Sequence, residues 1–526
     1  MAFDVMVIGS GFGGAVTACR LAAAGAKVLV LERGRRWDPT TFPREATDDW
    51  LWDHEHPERR PGWLDVRRFP MMTVAQGAGV GGGSLVYANV SCEAPDHAFH
   101  TGWPAEIRYS DLKPYYDRVK TFMKVRCVPK TQWTTRMKLM QEAATNAGFA
   151  DRFAPLELAV AFREDWTYED HYALGVAGSV PWTNAQGARQ GTCVHLGNCD
   201  IGCDVNARNT LDLNYLYLAE NTHHADVRAL HLVNAIEPVT GGYRVHYDNL
   251  AGHTRTPGSE TAPIVILSAG SLGSTELLLR CKAAGTLPGI SDKLGTGWSS
   301  NGDFLTPAIH WGQDVEPTRG PTIGSRITFQ DGSQNGSVFW IEDGGLPNLF
   351  ANYVAAKAND PSIGFKLQLA LKALQMFLRE NEPFKNIMPW FAQGVDASNG
   401  TLRLAPASNG GSRLMLDWDV AQSRQVINDI VEMHKRLAGA AGGWAIVPVT
   451  WTLFSELVTP HPLGGCRMGS SSATGVVDHR GEVFGHAKLY VADGAIVPGA
   501  VGVNPSRTIA ALAERIAEIM IDELGH

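Results

Sequence analysis

No stretch of this 526-residue sequence reaches the roughly 18 consecutive apolar residues that a membrane-crossing helix needs, which excludes a helical membrane protein. Basic residues are not in excess either. Lys and Arg total 46 against 54 Asp and Glu, a net charge of −8, so the electrostatic footprint of a nucleic-acid binder is missing. Cysteine is scarce: Cys19, Cys92, Cys127, Cys193, Cys199, Cys203, Cys281 and Cys466 are too few and too scattered to staple a chain of this length. There is no internal repeat and no low-complexity segment. The first strand begins almost at once and leaves no room for a signal peptide, so the sequence reads as cytoplasmic, with a leader removed upstream of this numbering left open.

Glycine, by contrast, is abundant, with 56 copies. Phe3-Asp4-Val5-Met6-Val7-Ile8 runs into Gly9-Ser10-Gly11-Phe12-Gly13-Gly14, the strand-to-G-x-G-x-x-G junction of a dinucleotide cradle. Gly9 permits the tight turn, Gly11 lets backbone approach a pyrophosphate, and Gly14 lets the next helix pack closely. A helix over 15–24 and a strand over 27–31 then deliver Glu32, the acid that holds a ribose hydroxyl in FAD or NAD. As an isolated pattern this spacing arises by chance in a glycine-rich chain; strand, helix, strand and acid together raise its specificity. A second glycine cluster, Gln76 to Tyr87, marks backbone approaching something closely.

The length suggests two or three units. Residues 37–69 are rich in Pro, Trp, Arg and Asp and read as a loop-rich excursion. Helices are expected over 110–127 and 136–147, strands over 226–233 and 243–247, and a wholly apolar strand over 263–270 followed by a helix over 271–281. A continuous apolar run fits a parallel strand buried on both faces. Alternating segments such as 337–341 and 413–418 suggest antiparallel strands, and 365–379 an amphipathic helix packed on them or, alternatively, touching a membrane. The end of the chain offers a strand over 488–493 and a long helix over 505–524.

That final stretch also holds His461-Pro462-Leu463-Gly464-Gly465-Cys466, Asp493-Gly494 and Val503-Asn504-Pro505. With these strings, the Gly81-Gly82-Gly83-Ser84 loop and the Ser268-Ala269-Gly270-Ser271 turn in order, the chain resembles the glucose-methanol-choline (GMC) flavoprotein oxidoreductases over nearly its whole length. Within them it is most similar to bacterial cholesterol oxidases and steroid or alcohol dehydrogenases. The resemblance implies an α/β fold: a discontinuous Rossmann-like FAD-binding domain (1–40, 72–92, 205–305 and 462–526) and a substrate domain (41–71, 93–204 and 306–461) with a six-stranded antiparallel sheet and helices. It implies noncovalent FAD held by Gly9, Gly11, Gly14, Glu32, Gly82, Ser84, Val227, Asp493 and Asn504. Tyr87 departs from the Asn that relatives often carry there.

Alcohol oxidation needs a group to receive the hydroxyl proton while a hydride leaves the carbinol carbon. His461 suits this task, with an ordinary pKa near ~6.5, and Asn504 offers both a donor and an acceptor to the same hydroxyl. The bland alternatives are a turn histidine and a helix N-cap. Steroid-oxidising relatives can use a further Glu, for which Glu342 is the candidate, with Asp343 adjacent and a turn acid as its bland alternative. Phe339, Trp340, Leu346, Phe350, Trp390 and Phe391 could line a large apolar pocket, although aromatic side chains are more often core.

Cys193, Cys199 and Cys203, with His195 between them, invite a cluster reading. Their C-x5-C-x3-C spacing matches neither common zinc nor ferredoxin patterns, so buried thiols or one disulfide are expected and no metal. His97 and His100 are the nearest candidates for a covalent flavin link. The expected activity is oxidation of a secondary alcohol on a small, bulky apolar substrate, favoured as a 3β-hydroxysteroid such as cholesterol, with O2 as acceptor and transient membrane contact for substrate uptake. The alternatives are a dehydrogenase of the same fold passing electrons to a quinone or cytochrome, and a flavin-binding module without turnover. Oligomeric state is left open.

Overall fold

A computed structural model describes the chain except residues 46–47, 348–353, 355–356, 359, 361–363, 366–367, 370, 373–383, 408–409 and 526. Much of the helix expected over 365–379, and Phe350, therefore lie outside the described residues.

The apolar strands Val5–Ile8, Val28–Leu31 and Ile264–Leu267 are buried along their whole length, as strands covered on both faces must be. They lie in a five-stranded parallel sheet in the order Asp226–Arg228, Val28–Leu31, Val5–Ile8, Ile264–Leu267, Leu489–Val491. Val5 is in register with both Val28 and Ile264, so the sheet grows outward from the first strand on both sides and the strand order reverses there. Ligands of doubly wound sheets bind outside the carboxyl ends of the strands at such a switch point. The crossover helix Phe12–Ala23 and the C-terminal helix Ser506–Leu524 pack on each other, with an Arg20 to Glu514 ion pair of 2.7 Å between them.

The expected strand over 226–233 is in fact two. Leu230 adopts φ +60°, turning the chain out of the parallel sheet before His231–Val239 enters a separate three-stranded antiparallel sheet. An uninterrupted β-favouring run hid this break, because the bend falls on a leucine rather than on Gly or Pro.

The second large layer is a six-stranded antiparallel sheet in the order Gly443–Ala445, Phe304–His310, Ile387–Gly394, Ser337–Asp343, Ser325–Gln334, Phe153–Pro155. Helices Thr135–Asn146 and Arg424–Ala440 contact its strands and each other. Alternation along a strand assigns the two faces. Phe339, Ile341 and Asp343, with their partners Trp390 and Ala392, share the helix-covered face. Trp340 and Glu342, with Gln393 and Phe391 opposite them, share the other. Of the aromatic residues expected to line a pocket, Phe339 and Trp390 are thus core under the helices. Trp340 and Phe391 face the parallel-sheet side.

Candidate active site

At the first glycine turn, Gly9 has φ +94°, and a Cβ there would lie 2.4 Å from the Ser268 carbonyl oxygen. One on Gly14 would come 2.0 Å from the Gly9 carbonyl oxygen, so the helix can start here only without side chains. The second glycine loop meets the first backbone to backbone: a Cβ on Gly82, at φ +52°, would stand 2.5 Å from Gly11 Cα. Two bare backbones facing each other form the surface that a dinucleotide pyrophosphate and the adjoining ring system require.

Glu32 is buried behind this turn. It accepts from Ser10 N at 3.0 Å, Ser10 Oγ at 2.7 Å and Gly34 N at 2.8 Å, and burial outweighs these bonds and raises its pKa. The Val227 carbonyl, on the edge strand, accepts from Arg36 at 3.2 Å. Ser84 is fully buried, donating to Gly81 O at 2.7 Å and accepting from Leu211 N at 3.1 Å, so its hydroxyl is spoken for within the loop. Asp493 joins the last parallel strand to the turn where Gly270–Ala284 begins, accepting from Ser274 Oγ at 2.6 Å, Gly270 N at 2.8 Å and Ala495 N at 2.8 Å. Burial pushes its carboxyl up to about 6 despite them. Tyr87 donates to Asn209 O at 3.0 Å and packs edge-on against Phe12.

The other end of the site lies between the two large sheets. His461 directs Nδ1 at Asp303, 2.9 and 3.0 Å from its two carboxylate oxygens. Among the described residues Nε2 has no hydrogen-bond partner. Burial disfavours the imidazolium, but the Asp303 carboxylate and its hydrogen bond, aided by Glu342, more than offset this and raise the His461 pKa. Phe391 stands beside the imidazole, ring centres 6.2 Å apart.

Glu342 is fully buried on the same side. Its Oε2 accepts from Gln393 Nε2 at 3.0 Å, Gln393 Oε1 in turn accepts from Trp340 Nε1, and its Oε1 has no partner. Burial pushes this carboxyl up to about 8, against the pull of Gln393, His461 and the Asn504 amide. Asp343 faces the opposite way, bonded to Arg136 at 3.0 Å and to Gly324 N and Ser325. Glu342, then, is the acid that meets His461 and Asn504.

Asn504 does not cap the C-terminal helix. The N-cap position is taken by Pro505 with no side-chain bond, and Asn504 Oδ1 is buried without a partner. The loop before it is fixed by Asn301, whose Nδ2 donates to Val503 O at 2.8 Å while its Oδ1 accepts from Val501 N and Gly502 N at 3.0 Å each. Sequence reasoning missed Asn301, Asp303, Gln393 and Thr459. The Asn301-Gly302 pair announces a turn but not its partners, which lie over 150 positions away.

All eight cysteines are free thiols in the structure. Cys193 and Cys199 are buried, which raises both pKa values, and His195 beside them stacks flat on Trp166. Among the described residues no group of three or more His, Cys, Asp or Glu could hold a metal ion. No helix among them is long and apolar enough to cross a membrane.

Two family models described as GMC oxidoreductase match, one over residues 3–159 and the other over 396–513. The chain is 31% identical to a cholesterol oxidase of Acinetobacter baumannii, over 98% of its own length and 93% of the relative's. It is also 31% identical to a cholesterol oxidase of Mycobacterium tuberculosis, covering 98% and 91%. A solved pyridoxine 4-oxidase from Mesorbium loti superposes with TM-score 0.65 at 16% identity, over 98% of this chain and 99% of that one.

Proposed function

The chain belongs to the GMC oxidoreductases, FAD-binding flavoproteins that oxidise alcohols, and from that premise we propose that it oxidises a secondary alcohol on a bulky apolar molecule, a 3β-hydroxysteroid such as cholesterol, to the ketone. The observation that carries this reading is the meeting of His461, Asn504 and Glu342: one imidazole nitrogen and two buried polar oxygens without partners, converging on one place. Unpaired buried polar atoms are costly, and a bound hydroxyl and cofactor would satisfy them.

The residues present fit FAD. The facing glycine backbones suit a pyrophosphate, and an acid at Glu32 suits an unphosphorylated ribose. Gly9, Gly11, Gly14, Glu32, Gly82, Ser84, Val227, Asp493 and Asn504 would hold it noncovalently. In this reading residues 1–40, 72–92, 205–305 and 462–526 bind the cofactor, and the rest form the substrate half. When bound, the flavin supplies the acceptor for the carbinol hydride.

His461 Nε2 takes the hydroxyl proton as the C–H bond gives up its electron pair and the C=O bond forms, a role worth about 10²–10⁴-fold. The Asn504 amide orients the hydroxyl, and the N-terminus of Ser506–Leu524 beside it favours negative charge nearby. Glu342, protonated at neutral pH, keeps a second negative charge out of the pocket and is placed to shuttle a proton if a double bond migrates. O2 would be the final electron acceptor, with H2O2 as the second product.

The test is anaerobic flavin bleaching with a panel of steroids, terpenoid alcohols, sugars and choline. Sterols should bleach it, and His461→Ala should retain yellow FAD while losing the bleaching. Bleaching by sugars but not sterols would remove the steroid assignment. Reduced enzyme that O2 re-oxidises slowly while dyes do so fast would replace the oxidase by a dehydrogenase.

A further inference from the structure

The five residues Ser299 to Asp303 bond to both the His461 and the Asn504 stretches, which lie well over a hundred positions further along the chain. Ser299 exchanges backbone bonds with Leu463, at 3.0 and 3.1 Å, two residues beyond His461. Asn301 holds the turn leading into Asn504. Asp303 reaches His461 itself. The segment is locked from behind by Asp396, which accepts from Ser299 Oγ, Ser300 N and Ser300 Oγ at 2.8 Å each.

Around Asp303 the bonds all serve one orientation. Thr459 Oγ1 lies 2.5 Å from Asp303 Oδ2 and 2.9 Å from the Ser300 carbonyl, and it accepts from His461 N at 2.9 Å. The same hydroxyl thus fixes the carboxylate and the backbone of the histidine that the carboxylate grips. Asp303 is 1% exposed and Thr459 is fully buried, so neither is a surface accident.

We propose that Asp303 is the positioning residue of His461: its carboxylate accepts a hydrogen bond from Nδ1–H, fixing the tautomer and ring plane so that Nε2 is the nitrogen offered to the substrate hydroxyl. This rests on the reading of His461 as the proton acceptor. An ionised carboxylate can only accept, whereas a neutral partner such as an amide could donate to Nδ1 and leave the proton on Nε2, where it blocks that function. In the serine-protease triad, replacing the buried Asp behind the histidine by Asn costs about 10⁴ in kcat by this route.

The charges that face the pair are few. His461 meets Asp303 and Glu342, and Asp303 in addition feels Asp396. The Asp303 carboxylate is the main influence holding the imidazolium against burial, so its removal lets the His461 pKa fall. Since His461 must be neutral to accept a proton, the acid limb of the rate profile should then move to lower pH, even as the rate drops.

The experiment compares holoenzyme of wild type, His461→Ala and Asp303→Asn by anaerobic stopped-flow flavin reduction from pH 5 to pH 10. The substrate is cholesterol, or the panel alcohol that reduces wild type if cholesterol does not. The expected result for Asp303→Asn is flavin retained, the limiting rate lower by about 10²-fold or more, and the acid limb displaced to lower pH. A rate within about threefold of wild type and an unmoved acid limb would overturn the proposal. If Asp303→Asn fails to hold flavin, Thr459→Val decides, because it loosens the carboxylate without removing its charge. A rate several-fold down with the acid limb not lowered supports the proposal, and wild-type rates overturn it. Full activity in His461→Ala would instead sink the assignment of His461, a separate result.

Discussion

At the scale of one residue, Glu342 is the side chain whose proton matters most. Burial raises its pKa from about 4.5 to about 8, so the folded chain keeps a proton there that the unfolded chain releases. Stability from that proton is fully present below pH about 4.5 and is lost as pH rises through about 8. Glu342→Gln keeps the shape and removes the ionisation. Calorimetric midpoints of wild type and variant should lie close at pH 5, with the variant a few degrees higher at pH 9; equal spacing at both would show that no proton is held there. The string Trp340-Ile341-Glu342-Asp343 offers two candidate acids to the site. Which of the two was not settled by the residues alone, because the choice depends on which face of a strand the helices Thr135–Asn146 and Arg424–Ala440 cover.

Elements show where pattern suffices and where it fails. The strand Ser337–Asp343 ends with Glu342 on one face and Asp343 on the other, and the second face is closed by Arg136 from the helix Thr135–Asn146. Arg136 is fully buried, pairs with Asp343 and donates to the carbonyls of Arg319, Pro321, Thr322 and Asp343. Arg136→Met strands a buried carboxylate and should cost about 3–5 kcal/mol, seen as a lower urea midpoint. Adding Asp343→Leu should recover much of that loss; no recovery would mean the arginine acts through its carbonyl bonds alone. The apolar strands and the long helices were legible because burial on two faces, or on one stripe, leaves a local imprint. The break at Leu230 and the turn of Ser299 to Asp303 were not, since their cause is a set of distant partners.

At the scale of the molecule, the glycine turns proposed to cradle the cofactor and the groups proposed to handle the hydroxyl come from far-separated parts of the chain. Leu489–Val491 completes the sheet begun by Val5–Ile8, and Ser299 to Asp303 ties that sheet's C-terminal continuation to the six-stranded layer. Layers joined this way should not separate before they unfold. Heating the holoenzyme should give one transition, with flavin fluorescence and far-ultraviolet dichroism changing at midpoints within about 2 °C. Flavin release well below the loss of secondary structure would show that the layers come apart first. The glycine turns and the acid at Glu32 are visible as motif strings, and His461 and Asn504 stand in strings of their own, whereas Asp303, with no motif around it, is recognised only once residue 461 is folded onto it.

The bonds from Asn301 and Asp303 to Val503 and His461 also fix an order in time. A ribosome builds the chain from its N-terminal side, so the glycine turns emerge long before the residues proposed to handle the alcohol. Until residue 504 has cleared the exit tunnel, the growing polypeptide has neither the imidazole nor the amide in place. On the proposed reading, a nascent chain thus has no means of turning over an alcohol beside its own translation machinery.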